Sequence, residues 1–297
     1  MLDVLTWADD LYPLVFKRFQ DRYDKRTDLI KTVIGYDKIK TLSMYDEGIG
    51  GYGYVPEYDG TLITELNQKR GFKQIYTPKE KAAKATVHYK YAKVDQSGEA
   101  KKAGTKMADS LAMTRVRNFY NLFANGWDAT YKGADGKALF AADHPTNSDS
   151  DDIFDNTGTA TFSIASITTA QTRAQRWVTY DGLPFDCDFD LCLISPELEP
   201  RAREYFGKEA KLIPDSAENG ANPVYGMKYF VIKGLTAKQW IVADSNLLKE
   251  YVKLVEITAP MVIPNKPDNP LIQEYVAYMD DCFGWSDCRC MIGFNPS

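Results

Sequence analysis

Apolar residues recur at helical spacing at Trp7, Leu11, Leu14, Val15 and Phe19, then give way to a polar run from Gln20 to Lys31. The pattern predicts an amphipathic helix opening the chain. Pro13 interrupts it, because proline brings no amide proton to the helical ladder. The β-branched group Thr32-Val33-Ile34 follows. Residues 1–46 are therefore expected to form an arm with little core of its own, ordered only against another surface.

Residues 47–94 carry glycines among aromatics, at Gly48, Gly50, Gly51 and Gly53 beside Tyr52 and Tyr54. Two extended stretches come next, Thr61 to Leu66 and Phe72 to Thr77, separated by a turn near Lys69-Arg70-Gly71. These predict a long two-stranded hairpin. A two-stranded hairpin is marginal in water, so its partner surface is expected on another molecule. The glycines at its root suit a hinge.

The clearest helix is expected over 96–127, with Ser97 as cap, an apolar side of Met107, Leu111, Val116, Phe119, Tyr120 and Phe123, and Gly126 as stop. Residues 128–160 read as loop. A second helix is expected over 166–180, ended by Gly182, then a buried strand over 188–195 and a helix from Pro196 through Phe206. After an exposed loop at 207–227, strands are expected at 229–234, 239–243, 250–258 and 274–283. Four prolines between Pro260 and Pro270 predict a loop. The fold class is α+β.

Composition narrows the function. The chain has 297 residues, 44% hydrophobic and 26% charged, enough for a sizeable core. Its net charge of −5 lacks the basic footprint of a protein that wraps nucleic acid tightly. No apolar run is long enough to span a membrane, and no secretory leader is legible. The five cysteines, Cys187, Cys192, Cys282, Cys288 and Cys290, are odd in number and match neither a disulfide framework nor paired zinc spacing.

Candidate chemistry is sparse. His144 follows Asp143 and precedes an acidic run from Asp149 to Asp155, so a metal-dependent hydrolase built on Asp143 and His144 is one reading. A solvated acidic loop is the plainer one. Nucleophile elbows, phosphate loops and dinucleotide fingerprints are absent from the sequence. The chain is not expected to be an enzyme or to need a cofactor, and no catalytic or metal residue is assigned.

Three local patterns carry a resemblance. They are Gly71-Phe72-Lys73-Gln74-Ile75-Tyr76-Thr77, then Asp135-Gly136-Lys137-Ala138-Leu139-Phe140 with Asp143-His144-Pro145, and Phe283-Gly284-Trp285-Ser286-Asp287-Cys288-Arg289. In order and spacing the chain resembles the tailed-bacteriophage major capsid proteins with the Hong Kong 97 type fold, and within them the Mu-like major head subunits. Cys288 and Cys290 depart from the family's ending.

The resemblance implies an N-terminal arm (1–46), an extended loop or E-loop (47–94), a peripheral domain with a long spine helix (95–160), an axial domain (161–248), and last peripheral strands (249–297). It implies a shell of pentamers and hexamers around phage double-stranded DNA, contacted without sequence specificity and with no membrane partner. It further implies a separate scaffolding protein, a portal protein at one vertex and a decoration protein. Assembly is expected in the host bacterial cytoplasm and residence in the virion. Contacts between copies are expected at Trp7, Leu11, Gly50, Gly51, Tyr54, Leu62, Phe72 and Tyr76. An encapsulin-type nanocompartment shell is the alternative with the same fold.

Overall fold

The computed structural model describes residues 7–49, 52–58, 60–61, 63–67, 70–94, 99–146, 152–207, 221–265 and 267–297. In chain order the elements are α1 (Trp7–Val33), β1 (Gly35–Lys38), β2 (Met44–Ile49), β3 (Arg70–Tyr76), β4 (Lys79–His88), α2 (Tyr89–Lys93) and α3 (Glu99–Ala124). Then come β5 (His144–Pro145), β6 (Ile153–Phe154), β7 (Thr157–Gly158), α4 (Ile164–Ala174), β8 (Leu191–Ile194) and α5 (Glu199–Phe206). The chain closes with β9 (Lys228–Val231), β10 (Trp240–Ala243), α6 (Ser245–Tyr251), β11 (Val252–Asn265), β12 (Ile272–Trp285) and β13 (Met291–Phe294). They fall into two compact units. The first holds Met1–Met44, Thr77–Phe119 and Leu254–Phe283; the second holds Tyr45–Tyr76, Tyr120–Lys253 and Gly284–Ser297.

In the first unit, α1 is one helix that runs through Pro13. Leu11, Val15, Phe19 and Tyr23, four residues apart, make its buried stripe. They pack with Met107, Ala108, Leu111 and Ala112 of α3 and with Val262, Tyr275, Ala277 and Met279 of the sheet. The expected arm without a core is thus corrected: this segment buries its apolar face within its own chain.

Gly104 shows why α1 and α3 approach so closely. A Cβ there would lie 2.3 Å from the Val15 carbonyl oxygen, a backbone atom that cannot swing aside. In an exposed helix, glycine to alanine stabilises by roughly 0.5–1 kcal/mol. Here Gly104→Ala is expected to destabilise by about 1–3 kcal/mol through overpacking. Urea unfolding of the isolated chain reads the sign directly, and a stabilised variant would refute the close contact.

The first unit's sheet has the order β1-β11-β12-β4. β12 pairs antiparallel with β4, from Ile272 opposite His88 to Asp281 opposite Lys79. β11 continues through Pro260 and Pro264, where sequence reasoning expects a loop. The reason lies in which side of the strand lacks a donor. The Glu256 carbonyl accepts from Ile39 N at 2.9 Å, and the Val262 carbonyl accepts from Tyr12 Oη at 3.2 Å. Even-numbered residues of β11 therefore turn their backbone groups away from β12, toward the side that the four-residue β1 covers only in part. Both prolines are even-numbered, so their missing N–H groups cost β12 no hydrogen bond.

The second unit is built on the sheet β7-β13-β10-β8-β9. β10 is central, antiparallel to β13 and to β8, while β8 runs parallel to β9. Every residue of β8, β10 and β13 is buried, as expected of central strands covered on both faces. Trp240 and Phe294, directly paired in register, stack with ring centroids 4.0 Å apart. The Ser163 side chain caps α4 by accepting from Ser166 N at 3.1 Å. That helix ends at Ala174 rather than near residue 180, and the chain then turns back through Gly182, whose φ of +80° suits glycine.

The expected hairpin is also corrected. Residues 70–76 form β3, but its partner is β2 at 44–49 and not residues 61–66. Among the described residues of 52–67 there is no strand. Residues 79–88 join the first unit's sheet instead.

Candidate functional site

The three sequence patterns meet in the second unit. Their meeting point is Tyr180, a buried residue outside all three. A Cβ on Gly71 would lie 2.8 Å from the Tyr180 ring and 2.5 Å from the Gly48 carbonyl oxygen, and one on Gly48 would lie 2.9 Å from the same ring. Two bare backbones, one from β2 and one from β3, therefore press on one face of Tyr180. Phe72 meets the ring edge-on, 6.4 Å between centroids.

The other side of Tyr180 belongs to the C-terminal pattern. Its hydroxyl donates to Asp287 Oδ2 at 2.8 Å, and the Arg289 guanidinium lies 4.1 Å over its ring. Burial, reinforced by the Asp287 charge, pushes the Tyr180 phenol far above its ordinary range, so it remains a donor. Arg289 is 2% exposed and donates to the carbonyls of Val178 (2.9 Å) and Thr146 (2.8 Å). Asp287 Oδ1 accepts from Arg289 N at 2.9 Å.

Asn156 joins the middle pattern to this knot. Its Nδ2 donates to the Leu139 carbonyl at 2.8 Å and to the Cys288 carbonyl at 3.4 Å. Its Oδ1 accepts from Ala141 N at 3.0 Å and faces His144 Nε2 at 3.1 Å. The other His144 nitrogen, Nδ1, lies 2.5 Å from Asp135 Oδ2. His144 is fully buried.

Asp143 points elsewhere. It is exposed and accepts from Lys137 Nζ, whose bond holds its carboxyl below the usual carboxylate value. Asp143 and His144 thus have separate partners and make no joint acid–base pair. Residues 149–151 of the acidic run lie outside the described residues. Among the described residues, Asp135, His144 and Cys288 each offer a ligand atom that could hold a metal, all within 4.8 Å of one another.

The contact candidates divide by burial. Leu11 (8% exposed) and Tyr76 (2%) are buried inside the chain, so neither offers a side chain to a neighbour in this conformation. Phe72 is half-buried at Tyr180. The Trp7 side chain, Gly50, Gly51 and Leu62 lie outside the described residues. Tyr54 is 70% exposed, with Tyr52, Val55, Tyr58 and Ile63 also open to solvent. These residues leave a run of aromatic and apolar side chains open to solvent.

Tyr180 and Asn156 were not singled out in the sequence, because a single Tyr or Asn in a loop has no pattern of its own. Arg115 did carry a signal. It interrupts the apolar stripe of α3 between Leu111 and Phe119, and a charge there must find buried partners.

No protein-family model and no curated protein sequence matches the chain. Solved structures do. The capsid structure of cyanophage P-SCSP1u superposes with a TM-score of 0.59 at 13% identity, over 90% of this chain and 88% of that one. The capsid of Ralstonia phage GP4 gives 0.59 at 11% identity, over 89% of each chain. The chain has the Hong Kong 97 type capsid fold. A virus-like particle from Pyrococcus furiosus shares this capsid fold more distantly, with a TM-score of 0.53 at 8% identity over 95% of this chain and 97% of that one. In the capsid fold the knot is the root of the loop between β2 and β3, and the exposed aromatics are that loop's described part.

Proposed function

We propose that this chain is a major capsid (head) protein that assembles through pentamers and hexamers into an icosahedral shell enclosing phage double-stranded DNA. The supporting observation is the contrast within one segment. Its root is fixed by a buried knot, while Tyr54, Val55 and Tyr58 beyond it are 66–81% exposed. A rigid root with an unsatisfied apolar tip is suited to docking on another copy. Head-to-tail contacts of that kind close into rings and join rings together, and many modest contacts add up to a stable shell.

The E-loop is then the stretch between β2 and β3. The peripheral domain is assigned to 95–160 and 249–297 and the axial domain to 161–248, with the Mu-like branch as nearest kin on the strength of its motifs. The protein acts by binding and not by catalysis. Its partners are further copies, a separate scaffolding protein, a portal protein, a decoration protein and the packaged DNA. With a net charge of −5, the DNA contact is weak and without sequence preference. Assembly takes place in the bacterial cytoplasm. Among the described residues no helix is long and apolar enough to cross a membrane.

Tyr54→Asp combined with Tyr58→Asp is expected to abolish particles while leaving a folded subunit. Negative-stain electron microscopy and sedimentation read the assembly, and circular dichroism with thermal melting reads the fold. Wild-type yield of particles from the double variant would refute the docking role of the loop. A wild-type chain that stays monomeric when co-expressed with its neighbouring head genes would refute the shell itself.

The alternative with the same fold is an encapsulin-type shell around cargo enzymes. The content of purified particles separates the two: double-stranded DNA for the first, a bound protein for the second.

A further inference from the structure

We propose that Asp135, His144 and Cys288 form a binding site for a divalent metal ion of the zinc class, with Asp135 Oδ2, His144 Nδ1 and Cys288 Sγ as ligands. One ligand atom of each residue lies within 4.8 Å of the others, and Asp135 Oδ2 stands 2.5 Å from His144 Nδ1. Two of the residues are almost wholly buried, His144 at 0% and Cys288 at 6% exposure.

The surroundings hold each ligand in place. The Asn156 amide can be oriented only one way, because its Nδ2 must donate to the Leu139 and Cys288 carbonyls. Its Oδ1 then requires a proton on His144 Nε2. In a neutral imidazole this leaves the Nδ1 lone pair directed toward Asp135. A histidine whose second nitrogen donates to a fixed oxygen is the usual support behind a metal ligand. The other Asp135 oxygen is held by Lys137 N at 3.1 Å. One amide therefore orients the histidine and anchors the Cys288 backbone.

A dication with neutral imidazole, carboxylate and thiolate sums to zero, so the occupied site adds no net charge to the interior. Metal bonds of about 2.0–2.1 Å at tetrahedral angles place nitrogen and oxygen about 3.3 Å apart. From the present 2.5 Å the pair must open by less than about 1 Å. Asp135 and Cys288 also line a cavity of about 10 Å³, about the size of one water. One sulfur, one nitrogen and oxygen ligands select zinc or cobalt over magnesium or calcium.

The test is cobalt titration of the purified full-length chain. One equivalent of Co²⁺ is expected to give a thiolate-to-cobalt charge-transfer band with visible bands of tetrahedral intensity, and Zn²⁺ is expected to displace it. Cys290→Ser should keep the charge-transfer band and Cys288→Ser should lose it. A wild-type chain without the band, or a folded Cys288→Ser chain that retains it, overturns the site. If Cys288→Ser does not fold, X-ray absorption at the zinc edge of the wild-type chain decides. A single sulfur ligand among nitrogen and oxygen supports the site; none, or more than one, overturns it.

Discussion

Arg115→Met is expected to destabilise the chain by about 3–5 kcal/mol, the loss that follows when one member of a buried ion pair is removed. Arg115 Nε donates to Asp281 Oδ2 at 2.7 Å and Nη2 donates to Glu256 Oε2 at 2.7 Å, with all three side chains at most 3% exposed. Asp281 retains Lys81 and Glu256 retains the Tyr36 hydroxyl at 2.8 Å. Burial, together with its bond to Glu256, pushes Tyr36 up to about 12, so it remains a donor and not a counter-charge. Without the guanidinium, Asp281 keeps only the ammonium of Lys81, and the buried Glu256 carboxylate keeps a neutral phenol and no cation. Urea unfolding of the isolated chain measures the loss. Adding Glu256→Gln to Arg115→Met should recover part of it, because the variant then buries one fewer unpaired charge. A loss below about 1 kcal/mol, the scale of an exposed pair, would show that the network is solvated.

The second large effect is expected at Asn156. Asn156→Ala strips the partners from Ala141 N, the Leu139 carbonyl and His144 Nε2 at once. A buried polar group left unmet costs about 1–3 kcal/mol, and the three are too close together to be additive. A total of about 3 kcal/mol is expected. Asn156→Asp should be no better, since a carboxylate would turn an acceptor toward two carbonyl oxygens. Thermal unfolding reads the magnitude. Hydrogen exchange reads the place: the Ala141 amide should lose protection in both variants while amides of β4 keep theirs. Unchanged exchange at Ala141 would mean that Asn156 is not the hub.

Local pattern sufficed for much of the fold. The apolar stripe of α3 and the buried run at 191–194 are visible as periodicity, and so are β9, β10 and β12. The failures share a cause. Pairing 61–66 with 72–77 assumes the shortest loop, whereas β3 pairs with β2 across about twenty residues, and nothing in either strand encodes that distance. Residues 175–180 keep apolar positions at helical spacing, yet Trp177 packs against Phe154 and Phe189 after the helix has ended. The arm misled because its polar run, Gln20 to Lys31, is interrupted on one face only by Tyr23 and Ile30. Those two suffice once α3 lies alongside.

The site was legible as fragments and not as a site. Glycine-Phe, His-Pro and Ser-Asp-x-Arg each stand out along the chain. The residues that bind them together, Tyr180 and Asn156, are single polar side chains whose role depends on tertiary neighbours. The exposed loop was legible in composition, since several tyrosines with glycines cannot make a core by themselves.

The prolines of β11 bear on how the free chain behaves at high concentration. Edge strands with free amide donors invite any passing strand to extend the sheet, which is how concentrated proteins start fibres. Pro260 and Pro264 remove donors from the outward side of β11, and Tyr12 occupies the Val262 carbonyl between them. A protein held at high concentration gains from such an edge. Crowded molecules are steered away from irreversible clumping and stay available for ordered growth.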